Sequence, residues 1–153
     1  MAIKQYQAAG GVVIQQGKIA GLDGERAYVL LLDRADLGEV RLPKGHIDPG
    51  EDAVTAARRE TEEETGFADL TVLADLGNRT VEFDYKEYHV IRDEHYFLMT
   101  LRSERRSPRP AQDEQQFRPF WVALEKAVEL LTFADEREVV RTAVERYLQA
   151  DRA

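Results

Sequence analysis

Between Gly45 and Phe67 the chain reads GHIDPGEDAVTAARRETEEETGF. Asp48, Pro49 and Gly50 are a turn signal. Glu51 and Asp52 follow where acidic residues favour a helix start. Alanines, arginines and glutamates then carry a helix to Thr65, and Gly66 stands where a C-cap is wanted. On that helix Glu60, Glu63 and Glu64, three and four positions apart, project from one side, while Glu62 points away. Ala53, Ala56 and Ala57 continue the carboxylate side toward the N-terminus, so that side is narrow and partly apolar. Carboxylates held this close must protonate, find basic partners or bind metal. Hard cations such as Mg²⁺ take oxygen ligands and keep waters and substrate phosphates. Glutamate also favours helices intrinsically, and for the charge run taken alone a solvated helix face is the simpler account.

The rest of the chain predicts strands around this helix. Tyr6 to Ile14 reads as a strand broken by Gly10 and Gly11, which weaken it unless another backbone or a ligand comes close. Ala27 to Arg34 (AYVLLLDR) reads as a buried central strand, and Val40 with Leu42 as a short fragment before Pro43. Leu70–Leu76, Thr80–Val90 and His95–Leu101 read as three further strands. Ser103 to Gln112 reads as a loop and Phe117 to Val122 as a strand. Leu124 to Leu131 and Asp135 to Gln149 read as helices, the second with an apolar face at Val139, Val140, Ala143, Val144 and Tyr147. This order predicts a mixed α/β arrangement of the α+β type, a mixed sheet with helices packed on it, in one domain spanning residues 1–153.

Bulk properties narrow the classes. A 153-residue chain with 43% hydrophobic and 33% charged residues reads as globular. No apolar run is long enough to span a bilayer, and the N-terminus lacks the order of a secretory signal. Cysteine is absent, which excludes thiol chemistry and suits the cytoplasm. The net charge of -8 disfavours nonspecific binding to nucleic acid or an anionic membrane. An anionic substrate stays open, because a bound cation inverts the local field. No exposed apolar seam is readable, so the oligomeric state is open.

The full spacing resolves the carboxylate question. Gly45 is followed by five residues and Glu51, then by seven and the pair Arg59-Glu60, then by Glu63, Glu64, Gly66 and Phe67. This resembles the Nudix box at every fixed polar and glycine position. Thr61 departs from it, where a larger aliphatic residue is usual; it should pack under the helix. The resemblance implies a mixed β-sheet sandwiched between α-helices. It also implies hydrolysis of a nucleoside diphosphate linked to another group, X, with Mg²⁺ or Mn²⁺.

Carried over by resemblance, Glu60, Glu63 and Glu64 would be metal ligands, together with the Gly45 carbonyl. Nudix enzymes differ on whether the residue at Glu60 is a ligand or the base, so both roles stay open for it. Glu51 and Arg59 would pair to fix the loop on the helix. The family often has a further acid before the late strand, as metal ligand or base; of Asp113 and Glu114, Glu114 is chosen. Glu87, Asp93 and Glu94 are weaker candidates. Lys44, Arg41 and His46 are phosphate-binding candidates.

The run PKGHIDPGE, with the tail FRPFWVALEKAVELLTFADERE, is similar to the diadenosine polyphosphate hydrolase branch of that family. Such a ligand carries bases that stack on aromatic rings. Tyr96 occupies a place where that branch often has a base-contacting tyrosine. Tyr85 and Tyr88, three apart on one expected strand, should face opposite sides. The expected partner is therefore a small nucleotide, with no specific nucleic-acid binding and no membrane. The same chemistry on nucleoside triphosphates, nucleotide sugars, RNA 5′ ends or inositol pyrophosphates is the alternative. A basic groove for the larger of these has only Lys4, Lys18 and the cluster Arg102, Arg105, Arg106 and Arg109 to draw on. A nucleotide-sensing module without catalysis is a third reading; such modules commonly lose box carboxylates, and here all are present.

Overall fold

The computed structural model describes residues 1–19 and 21–151. In chain order the elements are β1 (Ala2–Gln16), β2 (Ala27–Arg34), β3 (Glu39–Arg41), β4 (Lys44–His46), α1 (Ala53–Thr65), β5 (Leu70–Tyr85), β6 (Tyr88–Leu101), α2 (Ala111–Gln116), β7 (Arg118–Ala123), α3 (Leu124–Leu130) and α4 (Ala134–Asp151). Among the described residues the strands form one sheet with the path β3-β2-β1-β6-β5, to which β4 adds on β1 and β7 on β2. β1 runs parallel to β6 over Ala2–Val13, and the other pairings are antiparallel, so the sheet is mixed.

Strand alternation divides the core into two layers. Val12, Ile14, Val29, Leu31 and Leu98 face Ala127 of α3 and Val139, Val140 and Ala143 of α4. Ala9, Val13, Leu30, Phe97 and Met99 face Ala56 and Ala57 of α1. The sheet is thus sandwiched, with α1 on one side and α3 and α4 on the other. The alanine stripe of α1 lets the helix lie close to the sheet and leaves its next turns to the glutamates.

Gly10 and Gly11 mark a close backbone approach. A Cβ on Gly10 would stand 2.3 Å from the Pro43 carbonyl oxygen, and one on Gly11 would stand 2.7 Å from Thr61 Oγ1. The segment before β4 and the underside of α1 both press on β1 there, and the Gly11 N–H donates to Pro43 O at 3.1 Å.

Four expectations are corrected. The stretch Thr80–Val90 is not one strand: the chain reverses at Lys86-Glu87, with Lys86 at φ +56°, and Tyr85 pairs directly with Tyr88. Cross-strand partners share a face, so these two tyrosines do not point to opposite sides. Leu70–Leu76 and the first part of the expected next strand are joined into β5 through irregularities at Val72/Ala74 and Asp75/Asn78. The expected loop ends early, because Ala111 already begins α2. β4 had no sequence signal beyond three residues after Pro43; it exists because Lys44–His46 pair with Ala8–Gly10.

Candidate active site

The site begins with how α1 starts and stops. Asp52 is its N-cap, accepting from Thr55 N at 2.9 Å, and Gly66 closes it in the left-handed region at φ +83°. Between the turn and the helix, Arg59 acts as a staple. Its Nε donates to Glu51 Oε2 at 2.8 Å and its Nη2 to Glu51 Oε1 at 2.9 Å. Nη2 also donates to the His46 carbonyl at 2.9 Å, and Nη1 to Glu60 Oε1 at 2.8 Å and Glu63 Oε2 at 3.4 Å. One planar guanidinium therefore ties the Gly45–Glu51 loop to the carboxylate face. Hydrogen bonding from Arg59, then from the Asp48 N–H, holds the Glu51 carboxyl down at about 2. The same pairing raises Arg59 above the ordinary guanidinium range.

The box glutamates sit in contrasting surroundings. Glu64 is 6% exposed, and its Oε1 accepts the Lys44 N–H at 2.8 Å. Burial drives its pKa well up, against that hydrogen bond, and the Glu60 charge adds to the rise. Glu60 is also raised, by burial first, with Arg59 opposing. Gly45 packs hard on Glu60: a Cβ there would fall 2.2 Å from the Glu60 carboxyl carbon. Glu63 stands at the more open edge of the group, held among the described residues by Arg59 alone.

Asp113, not Glu114, is the acid of α2 beside this group. Asp113 is half-buried and raised by burial and by the Glu63 charge, and its own charge raises Glu60 and Glu64. Glu114 faces solvent one position on. Only the facing of a six-residue helix separates the two, and the dipeptide alone does not carry it.

These residues fit a divalent cation in donor type and in unspent oxygens. Glu60, Glu63 and Glu64 each have one carboxylate oxygen held by Arg59 or the Lys44 N–H, and the second has no hydrogen bond among the described residues. Among the described residues Arg59 is the arginine paired to these glutamate side chains, with Arg109 acting on Asp113. The side chains are not drawn together as a closed cage, since among the described residues no three acidic or histidine groups stand at ligand spacing.

The other sequence candidates are placed as follows. The Lys44 side chain donates from Nζ to Glu136 Oε2 at 2.7 Å, and Glu136 Oε1 accepts Leu42 N at 2.9 Å. Arg41 forms a two-pronged pair with Glu39 and lies over the Phe133 ring. His46 stacks on Tyr6 with centroids 4.1 Å apart, and burial, then Lys4 and Arg92, lower its pKa. Tyr96 is overturned as a base contact: it is 1% exposed in the α3/α4 core layer, its hydroxyl 3.4 Å from Glu94. Pairing with Gly10 puts it on that face of β6. Glu94 is itself buried and accepts from Arg92 Nε at 2.7 Å.

A cleft of about 800 Å³ reaches Gly45 and Glu64. Arginines stand over aromatic rings along its wall: Arg34 is 5.7 Å from the Phe117 centroid, Arg41 5.7 Å from Phe133, and Arg92 5.0 Å from Phe83. Sequence reasoning missed these rings and Glu136. They come from distant segments, and no local spacing links them.

The NUDIX domain family matches residues 6–143. The chain belongs to the Nudix family. Among its relatives is the asymmetrical bis(5'-nucleosyl)-tetraphosphatase of Mus musculus, 29% identical over 138 residues, 88% of this chain and 90% of that protein. An RNA pyrophosphohydrolase of Erythrobacter litoralis is 36% identical over 81 residues, 53% of this chain and 43% of that one. The Ap4A hydrolase of C. elegans, solved as a binary complex, superposes with a TM-score of 0.70 at 26% identity, covering 95% of this chain and 98% of that chain. The chain is a Nudix pyrophosphohydrolase, and Nudix enzymes generally use divalent metal ions. Bound among these carboxylates, such an ion would offset phosphate charge and acidify a water.

Proposed function

We propose that this single Nudix domain hydrolyses a diadenosine polyphosphate or a related nucleotide, with Mg²⁺ or Mn²⁺, in the cytoplasm. The observation carrying this reading is the cleft, where arginine-backed aromatic rings line the approach to Gly45 and Glu64. Flat bases suit the rings, and guanidinium groups suit a phosphate chain. The tetraphosphatase and Ap4A hydrolase relatives support it over most of their length.

In this reading Glu60, Glu63, Glu64 and the Gly45 carbonyl hold the metal. Asp113 stands beside them in the part first given to Glu114. Arg59 and Glu51 hold the loop on the helix. Glu136 turns the Lys44 ammonium, two of whose protons stay unspent, along the cleft wall toward the substrate phosphates, with Arg41 and His46 nearby. Glu60 serves either as one of these ligands or as the base that takes a proton from water.

The test is release of phosphate-containing products from a panel: diadenosine polyphosphates, nucleoside triphosphates, nucleotide sugars and triphosphorylated RNA, with and without Mg²⁺. Diadenosine polyphosphates should turn over fastest and only with metal. Preference for RNA ends would move the assignment to the other relatives, and no turnover at all would remove it. Glu63→Gln should lower turnover by orders of magnitude while circular dichroism stays unchanged; near-normal turnover would take Glu63 out of the metal site.

A further inference from the structure

A second concavity, of about 650 Å³, lies along the flank of α1 where Glu62 points, and shares no lining residue with the catalytic cleft. Arg58, Arg59, Arg102 and Arg105 line it, against two acids, Glu62 and Asp69. That balance runs against a chain of net charge -8. The acids do not use up the arginines. Asp69 Oδ2 accepts from Ser103 Oγ at 2.7 Å, and its other oxygen stands 3.5 Å from Arg102 Nε, whose side chain is 80% exposed. Arg105 donates to the Ala68 carbonyl at 3.3 Å and meets no carboxylate among the described residues. The Arg58 side chain has neither a hydrogen bond nor an ion pair among them. Only Arg59 is fully spent, on the catalytic loop.

The cluster is also held in place. The loop carrying Arg102 and Arg105 is stitched to the segment after α1 by Arg102 N to Asp69 O at 2.8 Å, Ala68 N to Arg105 O at 3.0 Å and Ser107 N to Gly66 O at 3.0 Å. Arg106, next after Arg105, lies over the Phe67 ring at 4.1 Å and so anchors the same loop to the core. Like charges around a concavity focus a positive field, and a fixed backbone lowers the ordering cost of binding.

We propose that this concavity is a binding site for a phosphate chain, distinct from the catalytic cleft. Guanidinium forks match phosphate oxygens in pairs, and three forks with donors to spare around 650 Å³ fit several linked phosphates better than one carboxylate. Free polyphosphate and the tail of a nucleotide present the same chemistry.

Isothermal titration of the full chain with tripolyphosphate, in EDTA so that the cleft holds no metal, tests it. One-to-one binding that weakens with salt is expected. Arg102→Ala/Arg105→Ala should cost about tenfold or more in affinity, and Arg41→Ala in the cleft should cost nothing. ATP should bind at the same arginines with similar affinity. If the double variant unfolds by circular dichroism, Arg58→Glu on the exposed helix surface gives the same test. No binding, binding of ATP but not tripolyphosphate, or loss with Arg41→Ala and not with the flank substitutions would each overturn the proposal.

Discussion

Thr61 offers the sharpest energetic test of how α1 is seated. It is 0% exposed, and among the described residues its Oγ1 is the buried side-chain oxygen without a hydrogen-bond partner. A hydroxyl taken from water without compensation costs about 1–3 kcal/mol. Thr61→Val replaces that oxygen with a methyl of nearly the same size, facing Gly11 and Met99. Helix propensity scarcely changes between the two residues. The net gain expected is about 1–2 kcal/mol, or a Tm higher by roughly 2–8 °C for a chain of this length. Urea unfolding should show the midpoint rising with an unchanged slope. Thr61→Leu should go the other way by about 1–3 kcal/mol, since the gap to β1 is already tight enough that Gly11 has no room for a Cβ. Turnover by Thr61→Val should stay normal, because the side chain faces the sheet and not the glutamates. A neutral or destabilised Thr61→Val would mean that the hydroxyl is satisfied, and the packing argument would fail.

Other substitutions probe the loop and its supports. Gly45→Ala must push the Glu60 carboxyl aside, since the added Cβ falls 2.2 Å from it; turnover should collapse while circular dichroism stays native. Glu136→Ala should cost about 3–5 kcal/mol in urea unfolding, because it strips the partner from a mostly buried Lys44 and from the Leu42 N–H together. Replacing both charges, Lys44→Met/Glu136→Gln, should recover much of that loss. Glu51 links pH to stability: its folded carboxyl is held at about 2 against an ordinary 4.5. Its contribution is present above pH 4.5 and is lost as pH falls from 4.5 toward 2. Glu51→Gln should flatten that limb of the stability curve, and an unchanged limb would show that Arg59 does not hold the carboxylate in solution.

What could be read from the sequence was what lies within one element or one short spacing. α1 was legible because its cap at Asp52, its alanine stripe and its stop at Gly66 are local, and β2 because eight consecutive residues are largely apolar. Strand ends were not. Lys86-Glu87 carries none of the glycine or asparagine that normally announces a hairpin, so the turn between Tyr85 and Tyr88 was invisible. The burial of Tyr96 was hidden for a related reason: its side depends on pairing with Gly10, far away in the chain. Asp113 and Glu114 could not be ranked, because which of two neighbouring acids turns inward is decided by the packing of α2 near α1.

Glu136 carries the same lesson into the chemistry of the site. Its carboxylate, from the first turns of α4, holds Leu42 and Lys44. The backbone N–H of Lys44 in turn holds Glu64. Thr132 N donates to Val40 O at 3.1 Å, and Thr132 Oγ1 accepts from Val40 N, which fastens the same segment a few residues earlier. The box supplies the glutamates, but the C-terminal helix fixes the height of the strand on which Gly45 and Lys44 meet them. Glutamate crowding on α1 is therefore tolerated because each carboxylate is tied at one oxygen by a group that is itself anchored elsewhere. Arg59 is anchored through Glu51 and the His46 carbonyl, and the Lys44 N–H through Glu136 and β1. A site built this way restrains each of these glutamates at one oxygen by a partner that is itself fixed.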